Sequence, residues 1–369
     1  RKSAESRSAV SMGENLYLFG VKHTARRLQP KSRCDGRKRW FHEPTNPLLN
    51  LHKPTGRPII GLAFGMVSAL IWGTLPVILK ILVRWLDVYT LTWFRFFTAA
   101  LIMLPIALCA GGVRSIGSLR GFSWILLGLS IVGLTGNYLT FMGGLTFISP
   151  GTAQIVIQLS PVFMLFGGLF IFGERFNRLQ WLGFAVLLGG LALFFQPRFG
   201  RLLTEMDTQG LGVLLIFLAA LLWGLYMVTQ KQLLQHLRAE VILLVIYAGG
   251  STLLLPWAEL SSLLVMPLIG VILLVVSSVL TAASYLTFAL ALDHVEASRI
   301  GVLVSLTPII VVVDMELLQW WAPGFLAPEY LPFVSIVGAL LVVGGSALTA
   351  IGRTPQRSYS TDNPVPGGE

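Results

Sequence analysis

Residues 121–173 contain no charged side chain over 53 consecutive positions, and residues 260–292 contain none over 33. A helix that crosses the hydrocarbon core of a bilayer needs roughly 20 apolar residues, so the first run is long enough for two crossings. The composition agrees: 54% of the 369 residues are hydrophobic and 12% are charged, where soluble domains average about a quarter charged. Soluble folding, disorder, a collagen-like repeat and a disulfide scaffold are excluded. The chain is an all-α polytopic membrane protein.

Charges, Gly/Pro breaks and apolar runs predict ten transmembrane helices, near residues 59–80, 88–110, 121–147, 151–173, 179–197, 210–230, 240–258, 266–292, 299–320 and 331–352. The sequence Ile148-Ser149-Pro150-Gly151 has the residues of a turn and divides the longest uncharged run. Residues 1–57 hold 13 of the 27 Lys and Arg against four acidic residues, whereas the rest holds 14 basic and 13 acidic. The net charge of +10 is therefore a property of this segment. It does not describe a nucleic-acid-binding surface, and no nucleic-acid partner is expected. The segment lacks a hydrophobic period and reads as a disordered cytoplasmic tail at a membrane surface. An Arg-rich, acid-poor start also fits a transit peptide or a start-site artefact, the chain beginning at Arg1.

With the N-terminus inside, the inner loops and C-tail hold nine basic residues (Arg114, Arg120, Arg175, Arg178, Lys231, Arg238, Arg299, Arg353 and Arg357), and the outer loops four (Lys80, Arg84, Arg198 and Arg201). The positive-inside rule thus places both termini in the cytoplasm. Cys34 and Cys109 are far apart and the five histidines do not cluster, so neither a disulfide framework nor a metal or cofactor site is expected.

Short strings recur in order about 150 residues apart. Ala69-Leu70-Ile71-Trp72-Gly73 matches Ala220-Leu221-Leu222-Trp223-Gly224 at an offset of 151, as Lys80 matches Lys231 and Leu104-Pro105 matches Leu255-Pro256. Tyr138-Leu139-Thr140-Phe141 recurs as Tyr285-Leu286-Thr287-Phe288 at an offset of 147, which also aligns Pro161 with Pro308. Glu174, Gly183 and Gly189-Gly190 match Glu329, Gly338 and Gly344-Gly345 at 155. Shared order and near-constant spacing indicate an internal repeat. The expected organisation is a tail over 1–57, a first five-helix repeat over 58–197, a linker over 198–209, a second repeat over 210–352 and a cytoplasmic tail over 353–369. Five helices per half is an odd number, so the halves insert with opposite topology, a build that recurs in secondary transporters.

Ten helices in two halves, each with an A-L-x-W-G first helix, a proline in its fourth and a glutamate before its fifth, resemble the EamA-type drug/metabolite transporter superfamily over residues 59–352. The resemblance implies a carrier of small metabolites, often an exporter of amino acids or related compounds. It also implies a central cavity lined by the first four helices of each half, with the fifth helices peripheral. The second half departs by eight extra residues between Pro308 and Glu329, around Trp320-Trp321-Ala322-Pro323-Gly324.

Pro161 and Pro308 lie inside the fourth and ninth predicted helices. Each removes one backbone hydrogen bond and frees the carbonyl four residues earlier, at Ile157 and Val304; in lipid such groups need a partner or a water-lined cavity. Gln158 and Ser160 flank one proline, Ser305 and Thr307 the other, so each kink is either a solute-coordinating element or a packed structural bend. Gln154 and Gln158 share a helix face. Asn137, Tyr138 and Tyr285 offer further neutral donors and acceptors, and Trp72 and Trp223 serve as cavity walls or as packing against Gly73 and Gly224. A cavity of amides and phenols suits an amphipathic or zwitterionic solute.

Three charges fall inside predicted spans: Arg95, Asp314 and Glu316. Each costs about 2.5–3.5 kcal/mol at the bilayer centre on insertion scales. Arg95 lies about 10 Å below the outer end of its helix. Eleven residues separate Ser305 from Glu316, about 1100° of helical rotation, which returns to nearly the same face. Glu316 is thus expected to face the pathway and to pair with Arg95 as an outer gate or to exchange a coupling proton, with Asp314 facing another helix. The alternative leaves all three at the interface, Arg95 snorkelling. Glu174 and Glu329 read as anchors at span ends.

The function expected is secondary transport of a small polar metabolite, with membrane lipid and a coupling proton or ion as the other partners. No GxxxxGK[ST] signature is present, so the energy would come from a gradient. A drug or lipophilic-cation exporter using a membrane carboxylate is the alternative, ahead of a membrane enzyme, scaffold or receptor. The expected location is a bacterial inner membrane; the oligomeric state is left open.

Overall fold

The computed structural model describes residues 58–351 apart from 110, 113–115, 118, 120, 164–165, 168–176, 199–207, 235, 296 and 327–330. The expectations for the two tails, most of the linker, Glu174 and Glu329 lie outside the described residues. The first half contains α1 (Pro58–Leu82), α2 (Val88–Cys109), α3 (Phe122–Phe147), α4 (Pro150–Val156) and α5 (Arg178–Phe195). The second contains α6 (Thr208–Leu233), α7 (Ala239–Leu254), α8 (Leu268–His294), the two-part α9a (Ala297–Val304) and α9b (Thr307–Trp321), and α10 (Phe333–Ile351).

Helix ends carry unpaired backbone groups that lipid cannot solvate, and polar residues at the breaks supply partners. The predicted turn at 148–151 is present: Ser149 caps α4 by accepting from the Thr152 amide at 3.2 Å, with Pro150 in the first helical position. Asp87 caps α2 through the amides of Tyr89 and Thr90 at 2.8 and 2.9 Å. Asn177 and Gln180 form a reciprocal capping box at the start of α5.

Among the described residues nine helices are long and apolar enough to cross a membrane. The fourth predicted span, 151–173, is interrupted. Its α-helix gives way to a tighter 3-10 turn at Ile157–Leu159 before residues 160–163 resume. The ninth predicted span, 299–320, is present as Ile300–Trp321, but it is not one continuous helix. It breaks at Ser305-Leu306, where two turn residues separate α9a from α9b. In both halves the break ends two residues before the proline, whose missing N–H interrupts the ladder.

Helices pair as a pseudo-two-fold requires. α1 packs on α8, and its repeat equivalent α6 packs on α3; α2 meets α7, α5 meets α10, and α4 meets α9b. Between transmembrane helices small residues allow close approach. Gly183 and Gly190 of α5 face Gly345 and Gly338 of α10 across such a contact. Outward faces carry exposed Leu, Ile, Val and Trp, as for Trp124, Ile125 and Leu214, which suits lipid and not water.

Candidate functional site

Beside the two helix breaks lies a partly open cavity of about 130 Å³, lined from α1, α2, α3, α4, α6, α8 and both parts of α9. It gathers nine of the twelve sequence-predicted residues: Trp72, Arg95, Asn137, Tyr138, Gln154, Gln158, Pro161, Trp223 and Tyr285. Ser305, Pro308 and Glu316 are not on its wall. Their neighbours Val304 and Thr307 are.

Repeat-equivalent positions meet one another here. Trp72 and Trp223 contact edge to face at 6.5 Å, and Tyr138 and Tyr285 lie at 6.4 Å. Gln158, which the offset of 147 aligns with Ser305, donates from Nε2 to the Ser305 carbonyl at 3.0 Å. A residue touches its own counterpart only near the axis that exchanges the halves, so the pseudo-two-fold runs through the cavity.

The Gln158 bond follows from the α9 break. In an unbroken helix the Ser305 carbonyl would accept from the Ile309 amide; here that amide turns to Leu306 at 3.0 Å, and the first half fills the vacated acceptor. The Ser346 hydroxyl of α10 approaches Gln158 Oε1 at 3.4 Å. In the first half the carbonyl freed by Pro161, that of Ile157, accepts from the Ser160 hydroxyl at 2.5 Å. Asn137 is tied by Nδ2 to the Ala219 carbonyl at 2.8 Å. Gln154 is buried on the wall and makes no hydrogen bond to the described residues.

Aromatic rings close the site. Tyr285 contacts Trp72, Tyr138, Tyr226 and Tyr247 at 5.5, 6.4, 6.0 and 6.3 Å, and Phe96 bridges Tyr138 and Tyr247. Tyr226, Tyr247 and Phe96 were not singled out in the sequence. Five tyrosines fall inside predicted spans, and four of them converge here, so tyrosine inside a span was the available signal.

The structure does not bring Arg95 and Glu316 together. Arg95 is 1% exposed. Its Nε and Nη2 donate to Thr281 Oγ1 at 3.1 and 2.6 Å, and its guanidinium carbon sits 4.9 Å over the Tyr138 ring. Glu316 is exposed on α9b. The rotation counted from Ser305 to Glu316 fails because the turn at Ser305-Leu306 lies inside the interval. Asp314 is half-buried, with Oδ2 lacking a hydrogen-bond partner. Thr281, which orients Arg95 and donates in turn to the Ser277 carbonyl at 2.7 Å, was also missed; a lone threonine in an apolar helix carries no distinguishing signal.

The EamA-like transporter family matches the chain twice, over residues 59–196 and 210–351. An uncharacterized transporter of Haemophilus influenzae is 33% identical over 80% of this chain and 96% of its own length. The uncharacterized inner membrane transporter YhbE of Escherichia coli is 29% identical over 79% and 92%. A "Probable amino-acid metabolite efflux pump" of Salmonella typhimurium is 25% identical over 63% and 79%. One solved crystal structure superposes with a TM-score of 0.54 at 20% identity, covering 79% of this chain and 97% of the other, a likeness of fold alone.

Proposed function

The chain belongs to the EamA-like transporter family, and from that premise we propose that it moves a small polar metabolite through the axial cavity by alternating access of its two halves. It is an integral membrane protein of a transporter family and not an enzyme. The observation that carries the proposal is the meeting of equivalent positions from both halves at the cavity wall, beside two broken helices. A pathway on the exchange axis presents the same residues to either side as the halves rock, and interrupted helices are where such bundles bend.

We further propose export as the direction, an amino acid or related compound as the solute, and a bacterial inner membrane as the location, with both termini cytoplasmic and a proton or ion gradient as the energy source. The efflux pump and the inner membrane transporter among the relatives support the solute, direction and location. The drug or lipophilic-cation alternative is disfavoured on two counts. Pockets for drug-sized ligands span about 300–1,000 Å³, well above this cavity, and among the described residues its wall carries a cation and no carboxylate.

The test is untargeted profiling of small molecules in medium and cytosol of cells expressing the intact chain or Gln158→Ala at matched membrane levels. A solute should accumulate outside only with the intact chain. Removing the Gln158 amide leaves the Ser305 carbonyl buried without that partner, a penalty of about 1–3 kcal/mol, so export should fall about tenfold. Depletion from the medium would reverse the direction. No change in any compound would refute transport.

A further inference from the structure

The cation in the cavity wall has no counter-ion among the described residues. Among the described residues Arg95 is the one lining residue that carries a charge, and a guanidinium stays protonated under any physiological condition. Its contacts are a threonine hydroxyl and a tyrosine ring, both neutral, and Nη1 has no hydrogen-bond partner at all. Among the described residues the acids of nearby helices are engaged or turned away. Asp87 caps the start of α2, Glu240 pairs with Arg238, and Glu316 is exposed on α9b. Asp314 makes no ion pair with Arg95. The duplication supplies no second charge either, because the offset of 151 aligns Arg95 with Ile246, a buried hydrophobe.

Ionisable side chains inside a membrane are costly, and an uncompensated one is a functional site by default. We infer that Arg95 is the binding site for a carboxylate on the transported solute, which supplies the missing negative charge when it enters the cavity. This rests on the transport reading and names the substrate class: small organic acids, with zwitterionic amino acids among them, and not amines or neutral compounds.

The geometry suits that ligand. Thr281, itself held by the Ser277 carbonyl, fixes the guanidinium from one side, and the Tyr138 ring covers one face. Nη1 is buried without a hydrogen-bond partner, on a residue that lines the cavity, so a small rotation of the guanidinium would present it to an entering anion. The planar fork of arginine matches the two oxygens of a carboxylate. A single cation among neutral groups balances a monoanion, whereas a phosphate dianion would leave one negative charge unpaired. The ammonium group of an amino acid could rest against the faces of Trp72 and Trp223, and the Gln154 amide remains to hydrogen-bond polar atoms of the solute.

The deciding measurement uses the full chain in lipid nanodiscs. Tryptophan fluorescence, to which Trp72 and Trp223 of the cavity wall contribute, and thermal unfolding are followed while acetate, its neutral isostere acetamide and inorganic phosphate are titrated at constant ionic strength. Acetate should bind at least about tenfold more tightly than acetamide, the factor expected for one charge-assisted contact. In Arg95→Gln the two affinities should converge to within about twofold, and Arg95→Lys should restore part of the preference. Arg95→Gln removes an unpaired buried charge, so its folding should be preserved; the unfolding curve checks this.

Absent or equal binding of acetate in the intact chain, a preference surviving in Arg95→Gln, or tighter binding of phosphate overturns the inference. Solute profiling of cells separates this failure from failure of the transport reading. If exported solutes lack a carboxylate, the Arg95 assignment falls and transport stands. If nothing moves while the Arg95-dependent acetate preference holds, transport falls and the anion site stands.

Discussion

The contact between α5 and α10 makes a prediction in which neighbouring glycines respond oppositely to the same substitution. A Cβ added at Gly190 would lie 2.7 Å from the Val342 amide nitrogen and 2.8 Å from the Gly338 carbonyl oxygen, where ordinary contacts begin at 3.4 Å. Both obstacles are backbone atoms of the facing helix, so no side-chain rotation relieves them. The helices must separate by about 0.7 Å, which loosens every contact along the seam. Overpacking of this kind costs about 1–3 kcal/mol. Alanine returns up to about 1 kcal/mol of helix propensity; with backbone atoms as the obstacles the cost lies at the upper end of that range, leaving Gly190→Ala destabilised by up to about 2 kcal/mol. Gly189, one residue earlier, has nothing within 4 Å. Gly189→Ala therefore keeps only the propensity gain, about 0.5–1 kcal/mol. Gly344, the repeat equivalent of Gly189, is open in the same way and provides an independent control. Thermal unfolding of the three variants in one detergent or nanodisc preparation should rank Gly190→Ala below the parent by several degrees, with Gly189→Ala and Gly344→Ala at or above it. Equal stability of Gly190→Ala and the parent, or shifts of the same sign for Gly189 and Gly190, would refute the close crossing.

Two further outcomes follow from the site. Glu316→Gln should leave export at the parental rate in the same metabolite assay, because Glu316 is exposed, off the cavity wall and not paired with Arg95; a loss of tenfold or so would return it to the pathway. Tyr285→Phe should keep the fold, since the ring contacts with Trp72, Tyr138, Tyr226 and Tyr247 remain. Tyr285→Leu forfeits aromatic pairs worth about 0.5–1.5 kcal/mol each and should lower the unfolding midpoint measurably; an unchanged midpoint would show that the cluster does not hold α8 in place.

Much of this protein could be read from the order of its residues. Uncharged runs announced the membrane, the turn residues at 148–151 divided the longest run where the chain does turn, and the recurring strings announced two related halves. Pro161 and Pro308 marked both helix breaks. These properties are one-dimensional, because lipid excludes charge and unpaired backbone wherever they occur. Even the cavity residues were mostly recognisable, since polar and aromatic groups such as Gln154, Gln158 and Tyr138 stand out in an apolar background.

Partnership was not readable in this way. Position along a helix follows from counting residues, and Arg95 lies inside α2, which starts at Val88 as the count expects. Azimuth does not follow. A transmembrane helix is apolar toward lipid and toward its neighbours alike, so its pattern does not say which face meets which helix. Opposite charge suggested Glu316 as the partner of Arg95; packing of α2 on α8 supplied Thr281 instead. One turn at Ser305-Leu306 reset the phase of everything beyond it. That Trp72 meets Trp223, Tyr138 meets Tyr285 and Gln158 meets Ser305 depends on where the exchange axis passes. Only the packing of the two halves against each other sets that position.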